Sequence, residues 1–446
     1  MTVVLFILGV LFVVVGIVIS IALHEVGHLV PAKLFKVRVM QYMIGFGPTM
    51  WSRKRGETEY GIKAIPAGGY VSMVGMYPPA EQDGDVRPSS TGMFQSLADD
   101  ARKLSAEQLQ PGDQNRMFYK LPVYKRIIIM LGGPFMNLLI GVLLFGVAIM
   151  GFGTPQVSTT LSEVYKCVVP ASQQQQTGQQ DCLPNDPQAP ASAAGLKPGD
   201  TIVSFDGRPV ENWQQMTERI RQSAGEETRI TVMRNGERVR SEITPLLTER
   251  PAIGADGSAK VDEDGDPVMK KVGFVGMGAQ VELVPQPATQ VLPTVGENVG
   301  RIAGVVVNLP EHLYEVGQAA FGDEPRNPNG PMSVVGVGRV AGEVASMDEI
   351  ATESKFAMLF RLMAGLNLAL CVFNLIPLLP LDGGHVAGAL WEGLRRRVAK
   401  LFGRKDPGPF DIAKLLPLTY VVAVLMLGMG ALLVYADIVK PVSLFG

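Results

Sequence analysis

The sequence Ile21-Ala-Leu-His-Glu-Val-Gly-His-Leu-Val30 lies at the end of a long apolar run and contains His24, Glu25 and His28. On a helix, residues four apart share a face, so both imidazoles can bind one metal ion. The intervening Glu25 then lies beside a metal-bound water as a candidate general base. The spacing H-E-x-x-H on a helix therefore predicts a zinc site.

The apolar run before this motif predicts a membrane span. No Lys or Arg precedes Lys33, and about 20 apolar residues suffice to cross a bilayer. A cleaved signal peptide is disfavoured, because a basic n-region and a small-residue cleavage site before His24 are missing. A soluble protein with a buried N-terminal helix is the other alternative, and so long an uncharged run is unusual for it.

Composition supports a membrane protein. Only 18% of the 446 residues are charged, and the net charge of −2 gives no sign of a nucleic-acid partner. Cys167, Cys182 and Cys371 form no C-x-x-C pair, which argues against a cysteine zinc site or a thioredoxin-like redox motif.

Apolar runs, turn residues and charge divide the remaining chain. Along the sequence we expect a first span (1–34), a membrane-associated β-region (35–76), a cytoplasmic loop and lead-in (77–126), a second span (127–152), an α+β domain with a cysteine-containing insert (153–285), an amphipathic or linker region (286–355), a third span (356–385), a basic cytoplasmic loop (386–413) and a fourth span (414–437).

The distribution of basic residues predicts the orientation of these spans. Lys33, Lys36 and Arg38 follow the first span, and Arg395 to Arg397 follow the third. By the positive-inside rule these flanks are cytoplasmic. The N-terminus, the C-terminus and the 153–285 domain are then extracytoplasmic, and the His-Glu-x-x-His motif lies towards the cytoplasmic side.

The β-region at Val37–Met76 alternates β-branched and aromatic residues with glycine turns. We expect strands that lie at the membrane or dip into it beside the metal site. An open strand edge there offers an extended peptide a place to bind by strand addition. A plain cytoplasmic hairpin is the alternative.

Polar residues within the later spans are candidate site residues. Asn137 follows Gly133-Pro134 in the second span, where it is either a contact between helices or part of a substrate path. Catalytic zinc takes three protein ligands and a water. The third ligand is Asp382 or His385, which follow the proline-broken third span and lie on the same side of the bilayer as the two histidines.

The extracytoplasmic domain has a recognisable order of elements. Ala191–Val210 reads as a short helix, a turn and a strand, Asn212–Ser223 as a helix, and 227–244 as a hairpin turning at Asn235-Gly236. This order resembles a bacterial PDZ domain, with 272–277 as its closing strand. Such a domain either binds peptides by strand addition or only restricts access.

Cys167 and Cys182 flank a polar insert in this domain. Outside the cytoplasm two such cysteines can pair, so we expect a disulfide, with two free thiols as the alternative.

Three motifs together resemble the site-2 protease family of intramembrane zinc metalloproteases, and in particular its bacterial members with a PDZ domain. They are His24-Glu25-x-x-His28, Gly133-Pro134-x-x-Asn137 and Asn374-x-x-Pro377-x-x-x-Leu381-Asp382-Gly383-Gly384, in this order. The resemblance implies a polytopic α-helical membrane protein with about four transmembrane helices, a membrane-associated β-region and an extracytoplasmic PDZ-like α+β domain.

The resemblance also implies roles for single residues. One Zn²⁺ per chain is bound by His24, His28 and Asp382, and Glu25 activates the water. The residues expected to position substrate are Asn374, Asn137 and Pro377.

The substrates implied are single-pass membrane proteins such as anti-sigma factors, already trimmed by another protease. The chain departs from the family in having one PDZ-like domain rather than two, and in its cysteine-bearing insert. A catalytically inactive zinc-binding scaffold with a peptide-binding PDZ domain is the main alternative, although such a scaffold has no need of Glu25. A metal transporter is disfavoured because no inverted repeat is present.

Overall fold

The computed structural model describes residues 2–76, 78, 110–111, 113–171, 173, 181–252, 260, 262, 267–322, 326–327, 330–348 and 350–442. The chain forms two compact units. The membrane unit comprises Met1–Phe152 and Pro285–Gly446, and the inserted unit comprises Gly153–Val284. Most of the predicted loop 77–126 lies outside the described residues, as do residues 172 and 174–180 of the cysteine-bearing insert.

The helices, in chain order, are α1 (Thr2–Leu34), α2 (Val123–Gly146), α3 (Pro190–Ala193), α4 (Trp213–Gln222), α5 (Val291–Val307), α6 (Leu309–Phe321), α7 (Val334–Ser346), α8 (Thr352–Asn374), α9 (Asp382–Leu401) and α10 (Leu416–Val439). The strands are β1 (Val39–Arg55), β2 (Thr58–Met73), β3 (Thr154–Val164), β4 (Thr201–Phe205), β5 (Arg208–Pro209), β6 (Thr228–Arg234), β7 (Glu237–Ile243), β8 (Leu246–Pro251), β9 (Met269–Phe274) and β10 (Met277–Val284).

Four helical segments among the described residues are long and apolar enough to cross a membrane: Thr2–Leu34, Val123–Phe152, Thr352–Asn374 and Ile412–Val439. They confirm the prediction of a membrane protein with about four spans. The second helix begins at Val123 rather than 127, directly after Pro122, whose fixed φ suits a helix start.

The predicted third span, 356–385, is not one helix, as its two prolines indicated. Its helix ends at Asn374, and a non-helical stretch with Pro377 and Pro380 separates it from α9. Proline lacks the amide hydrogen that a helix interior requires, which accounts for the break. The segment predicted as a basic loop, 386–413, is helical as far as Leu401.

Helices α1 and α2 touch at their backbones. A Cβ on Gly27 would lie 2.2 Å from the carbonyl oxygen of Gly132, and one on Gly132 would lie 1.9 Å from that of Gly27. Glycine removes the side chains that would otherwise hold two helices apart. Because Gly27 precedes His28, this contact brings the metal-binding motif directly against α2.

The β-region is a sheet in which β1 and β2 each bend and supply two segments. Residues 49–55 pair with 58–63, residues 59–62 also pair with 41–44, and 41–44 pair in turn with 69–72. The last segment, 69–73, lies at one edge of this sheet, and the described residues pair with it on one side only. A hydroxyl of Tyr42 donates to the carbonyl oxygen of Ala22 at 2.8 Å, which ties the sheet to α1.

The inserted unit contains a sheet of order β10-β3-β4-β6-β7, with β5 paired to β4, and a separate β8–β9 pair. Asn212 caps α4 by accepting from the Gln215 amide at 2.8 Å. The β6–β7 turn falls at Asn235-Gly236, both with positive φ as a type I′ turn requires. The predicted closing strand 272–277 is divided, since β9 ends at Phe274 and β10 begins at Met277.

A disulfide joins Cys167 and Cys182, whose Cα atoms are 5.8 Å apart. The predicted insert is therefore closed at its base by a covalent bond. Cys371, in α8 of the membrane unit, is a buried free thiol.

Candidate metal centre

Three potential metal ligands meet where α1 passes the first residue of α9. The Nε2 atoms of His24 and His28 each lie 3.3 Å from Oδ2 of Asp382. The two Nε2 atoms are 3.2 Å apart. Within the described part of the chain, this is the group of His, Cys, Asp and Glu side chains whose ligand atoms converge within 4.8 Å.

The local chemistry fits a zinc ion. Two imidazole nitrogens and one carboxylate oxygen are ligands that catalytic zinc sites use, with a further position open to water. Oδ2 of Asp382 is buried and has no hydrogen-bond partner among the described residues beyond its approach to the two imidazoles. Burying a carboxylate oxygen without a hydrogen-bond donor is unfavourable in free energy, and a cation bound between the three groups would compensate for its lost hydration.

The second nitrogen of His28 is held by α2. Its Nδ1 lies 2.8 Å from the carbonyl oxygen of Ile129. A carbonyl only accepts, so Nδ1 carries the hydrogen and donates it. The lone pair is then on Nε2, which faces the other ligands, as metal binding requires.

The second nitrogen of His24 faces Asn137, also on α2. The distance from Nδ1 of His24 to Nδ2 of Asn137 is 3.1 Å, while the buried Oδ1 of Asn137 has no partner among the described residues. Rotation of the amide by half a turn places Oδ1 where it accepts from Nδ1–H. This orientation satisfies Oδ1 and leaves the lone pair of His24 on Nε2. Asn137 thus contacts His24 across the α1–α2 interface, whereas the sequence left helix contact and substrate path open and the family resemblance implied contact with substrate.

Glycine 133 makes room for both imidazoles. A Cβ at Gly133 would lie 2.3 Å from Nε2 of His28 and 2.6 Å from Nε2 of His24. Side chains cannot approach so closely, so α2 carries glycine where the ligand atoms meet.

Glu25 lies beside the cluster against the edge of the β-region. The residue is 7% exposed. A Cβ on Gly69 would lie 2.8 Å from Cγ of Glu25 and 3.1 Å from its Oε1. The edge segment 69–73 therefore passes directly over the candidate base, which places an open strand edge next to the ligand cluster.

The remaining predicted residues lie at the end of α8 and in the stretch that follows it. Asn374 donates from Nδ2 to the carbonyl oxygen of Leu370 on its own helix at 3.0 Å. Pro377 lines an apolar cavity of about 190 Å³ with Trp391 and Phe410. His385 is not one of the grouped ligand residues, so of the two third-ligand candidates it is Asp382 that joins the histidines.

Two contacts could not be found from residue types. The Ile129 carbonyl belongs to the backbone and leaves no side-chain signal. The close approach of Gly69 to Glu25 depends on the folded sheet and could not be predicted from the sequence.

A helix bundle of membrane-span length with these donors defines a membrane-embedded metallopeptidase. The model of peptidase family M50 matches residues 12–405. The chain is similar to zinc metalloprotease Rip1 of Mycobacterium tuberculosis H37Rv, with 31% identity over 99% of this chain and 100% of the relative. It is also 32% identical to zinc metalloprotease Rip1 of Mycolicibacterium smegmatis, over 98% of this chain and 99% of the relative. It is 27% identical to metalloprotease MmpA of Caulobacter vibrioides, over 84% of each chain.

The chain belongs to peptidase family M50, the site-2 protease family. It is a zinc-dependent metalloprotease of the membrane.

Proposed function

We propose that the protein makes the second, intramembrane cut in single-pass membrane proteins of the anti-sigma-factor type, after another protease has removed their outer domain. The observation that carries this proposal is the convergence of His24, His28 and Asp382 beside Glu25 within a bundle of span-length helices. A peptide bond inside a membrane helix is protected, so a protease for such bonds needs its catalytic groups at this depth.

We further propose His24, His28 and Asp382 as the zinc ligands and Glu25 as the general base. A bound zinc ion supplies Lewis acidity and lowers the pKa of a coordinated water towards about 7. Glu25 takes the proton of the attacking water and delivers it to the leaving amine. Asn137 keeps His24 in the tautomer that presents Nε2, and the carbonyl of Ile129 does the same for His28.

The substrate must be unwound before its backbone reaches this site. The edge segment 69–73 offers unpaired backbone groups next to Glu25, so an extended segment can add as a further strand. Asn374, at the end of α8, and Pro377, in the stretch after it, remain candidates for substrate contact.

The proposed orientation follows the basic flanks. Lys33 at the end of α1, Lys36 and Arg38 after it, and the arginines of α9 support a metal centre towards the cytoplasmic face, by the positive-inside rule. Both termini and the inserted unit then lie on the extracytoplasmic side of the cell membrane.

We propose that the inserted unit is a PDZ-like domain that admits trimmed substrates. Its helix α4, its type I′ hairpin and its late strand β10 at the sheet edge support this assignment. Peptide docking and exclusion by size are the two forms that this role can take.

The experiment is a comparison of wild type with Glu25→Gln, co-expressed with a single-pass reporter substrate. Because Gln keeps the size of Glu but cannot take a proton, we expect zinc content to remain and cleavage to fall at least about 100-fold. Cleavage at the wild-type rate would refute the base assignment. A zinc-binding scaffold has no use for this carboxylate, and the relatives named as zinc metalloproteases give no support to that alternative.

A further inference from the structure

A buried ion pair of the membrane unit joins α2 to α9. Arg126 donates from Nη1 to Oε2 of Glu392 at 2.9 Å and from Nη2 to Oε1 at 2.6 Å. The side chains are 5% and 0% exposed. The amide of Phe410 donates to Oε2 of Glu392 at 2.8 Å, and Arg396 lies 3.1 Å from Oε1. The carboxylate is therefore fully engaged and fixed in one position.

The pair connects the two helices that build the metal centre. Arg126 lies one helical turn before Ile129, whose carbonyl oxygen accepts from His28. Glu392 belongs to the helix whose first residue is Asp382. The same part of α2 thus orients one histidine through its backbone and holds the helix of the carboxylate through Arg126.

Apart from the ion pair, the start of α9 meets α2 through apolar packing, since Val386 packs against the cluster that contains Ile129 and Met130. The helix has no side-chain cap at Leu381. Gly383 and Gly384 pack against the backbone of residues 375–379, which belong to the stretch after α8. Further along, a Cβ on Gly393 would lie 3.5 Å from the side chain of Val123 on α2, which is an ordinary contact distance.

We infer that Arg126 and Glu392 are positioning residues that set Asp382 against the two histidines. The inference rests on the proposed function, in which Asp382 is the third zinc ligand. Ten residues of helix separate Glu392 from Asp382, a distance of about 15 Å at 1.5 Å per residue. Over this length a tilt of about 4° displaces the ligand by about 1 Å, more than a metal site tolerates.

The test measures zinc affinity rather than cleavage. Wild type and Glu392→Gln, purified as full-length chains in detergent, are titrated with zinc against a chromophoric chelator. Gln keeps the shape of Glu but replaces one acceptor with a donor facing the guanidinium. We expect the zinc Kd to rise about 10- to 100-fold, the usual effect of losing a residue that orients a metal ligand. The visible spectrum of the cobalt-substituted protein should change as well, because it reports ligand geometry.

A second buried ion pair of the same unit provides the matched control. Arg326 binds Asp437, with side chains 3% and 2% exposed. Asp437 also accepts from the amide of Ser333, which precedes α7. Helix α7 packs against Gly9 of α1, about 22 Å from His24 by helix rise. Asp437→Asn therefore breaks an equally buried pair without touching α9.

Asp437→Asn should lower thermal stability but leave the zinc Kd and the cobalt spectrum unchanged. An equal loss of zinc affinity in Asp437→Asn and Glu392→Gln would mean that general destabilisation is the cause, and would overturn the inference. A wild-type zinc Kd in Glu392→Gln would overturn it too. If Glu392→Gln does not accumulate, Arg126→Lys, which keeps the charge but loses the two-pronged contact, is measured instead and decides in the same way.

Asp382→Asn separates this inference from the proposed function. If Asp382→Asn keeps its zinc affinity, the proposed ligand set is wrong and the inference falls with it. If Asp382→Asn loses zinc and Glu392→Gln does not, only the positioning role is refuted.

Discussion

Substitution of Gly133 tests whether the imidazoles of His24 and His28 pack directly against α2 at this residue. In Gly133→Ala the new methyl group would lie 2.3 Å from Nε2 of His28 and 2.6 Å from Nε2 of His24. Ordinary contacts begin near 3.4 Å, so one or both rings must move by roughly 1 Å. A misplacement of about 1 Å at a reacting centre costs about 100-fold in rate, and we expect a loss of that size in reporter cleavage together with weaker zinc binding.

Gly146→Ala is the control on the same helix. A Cβ there meets nothing within 4 Å. Both substitutions replace helical glycine by alanine and gain up to about 1 kcal/mol of helix propensity, so a difference between them reports the contact at the metal centre. Cleavage and bound zinc are measured on membranes and on purified protein, respectively. If Gly133→Ala equals Gly146→Ala in both measurements, the geometry assigned to the ligand cluster is refuted.

Three other substitutions probe separate parts of the chain. Gly69→Ala places a methyl group 2.8 Å from the proposed base and should abolish cleavage while zinc content stays at the wild-type level, because no ligand atom is displaced. Burial favours the neutral form of Asp200, but Arg234 donates to its two oxygens at 2.7 Å each and the pKa is lowered on balance. The free energy of unfolding that this pair contributes is therefore present above about pH 4 and lost as pH falls further. In Asp200→Asn the free energy of unfolding of the inserted unit should vary less with pH. It is measured by amide hydrogen exchange, corrected for the intrinsic exchange rates. Replacing Cys167 and Cys182 by alanine opens a loop of 15 residues and should lower the local free energy of unfolding by up to about 3 kcal/mol. The change is measured by the same exchange method in denaturant. Unchanged protection of the amides would show that the disulfide does not constrain this unit.

The helical spans and the first two ligands could be predicted because their signals are local. Apolar run length determines whether a helix can cross a bilayer, and the spacing of His24 and His28 places both on one helical face. The hairpin at Asn235-Gly236 was predictable for the same reason, since a two-residue turn with positive φ strongly prefers these residues.

The partners of those ligands were not predictable from local pattern. Asp382 lies more than 350 residues downstream, and only topology and a family resemblance pointed to it. Arg126 and Glu392 are separated by 266 residues. In sequence Arg126 reads as a charged residue before the second span, and Glu392 as a charged residue of the predicted loop 386–413. The role of Asn137 remained open between helix contact and substrate path because its choice of partner depends on how α1 and α2 cross.

These long-range contacts share one helix. Within α2, the Ile129 carbonyl accepts from His28, Asn137 contacts His24, and Arg126 holds the helix that begins with Asp382. A zinc ion that binds only when three donors converge binds only when α1 and α9 are both docked on α2. By linkage, the ion then stabilises that docking, by about 4 kcal/mol when free zinc exceeds its Kd a thousandfold. If His24, His28 and Asp382 are the ligands, metal affinity and helix packing are two measures of the same equilibrium. We therefore expect the Arg126–Glu392 ion pair, about 15 Å along α9 from Asp382, to influence both.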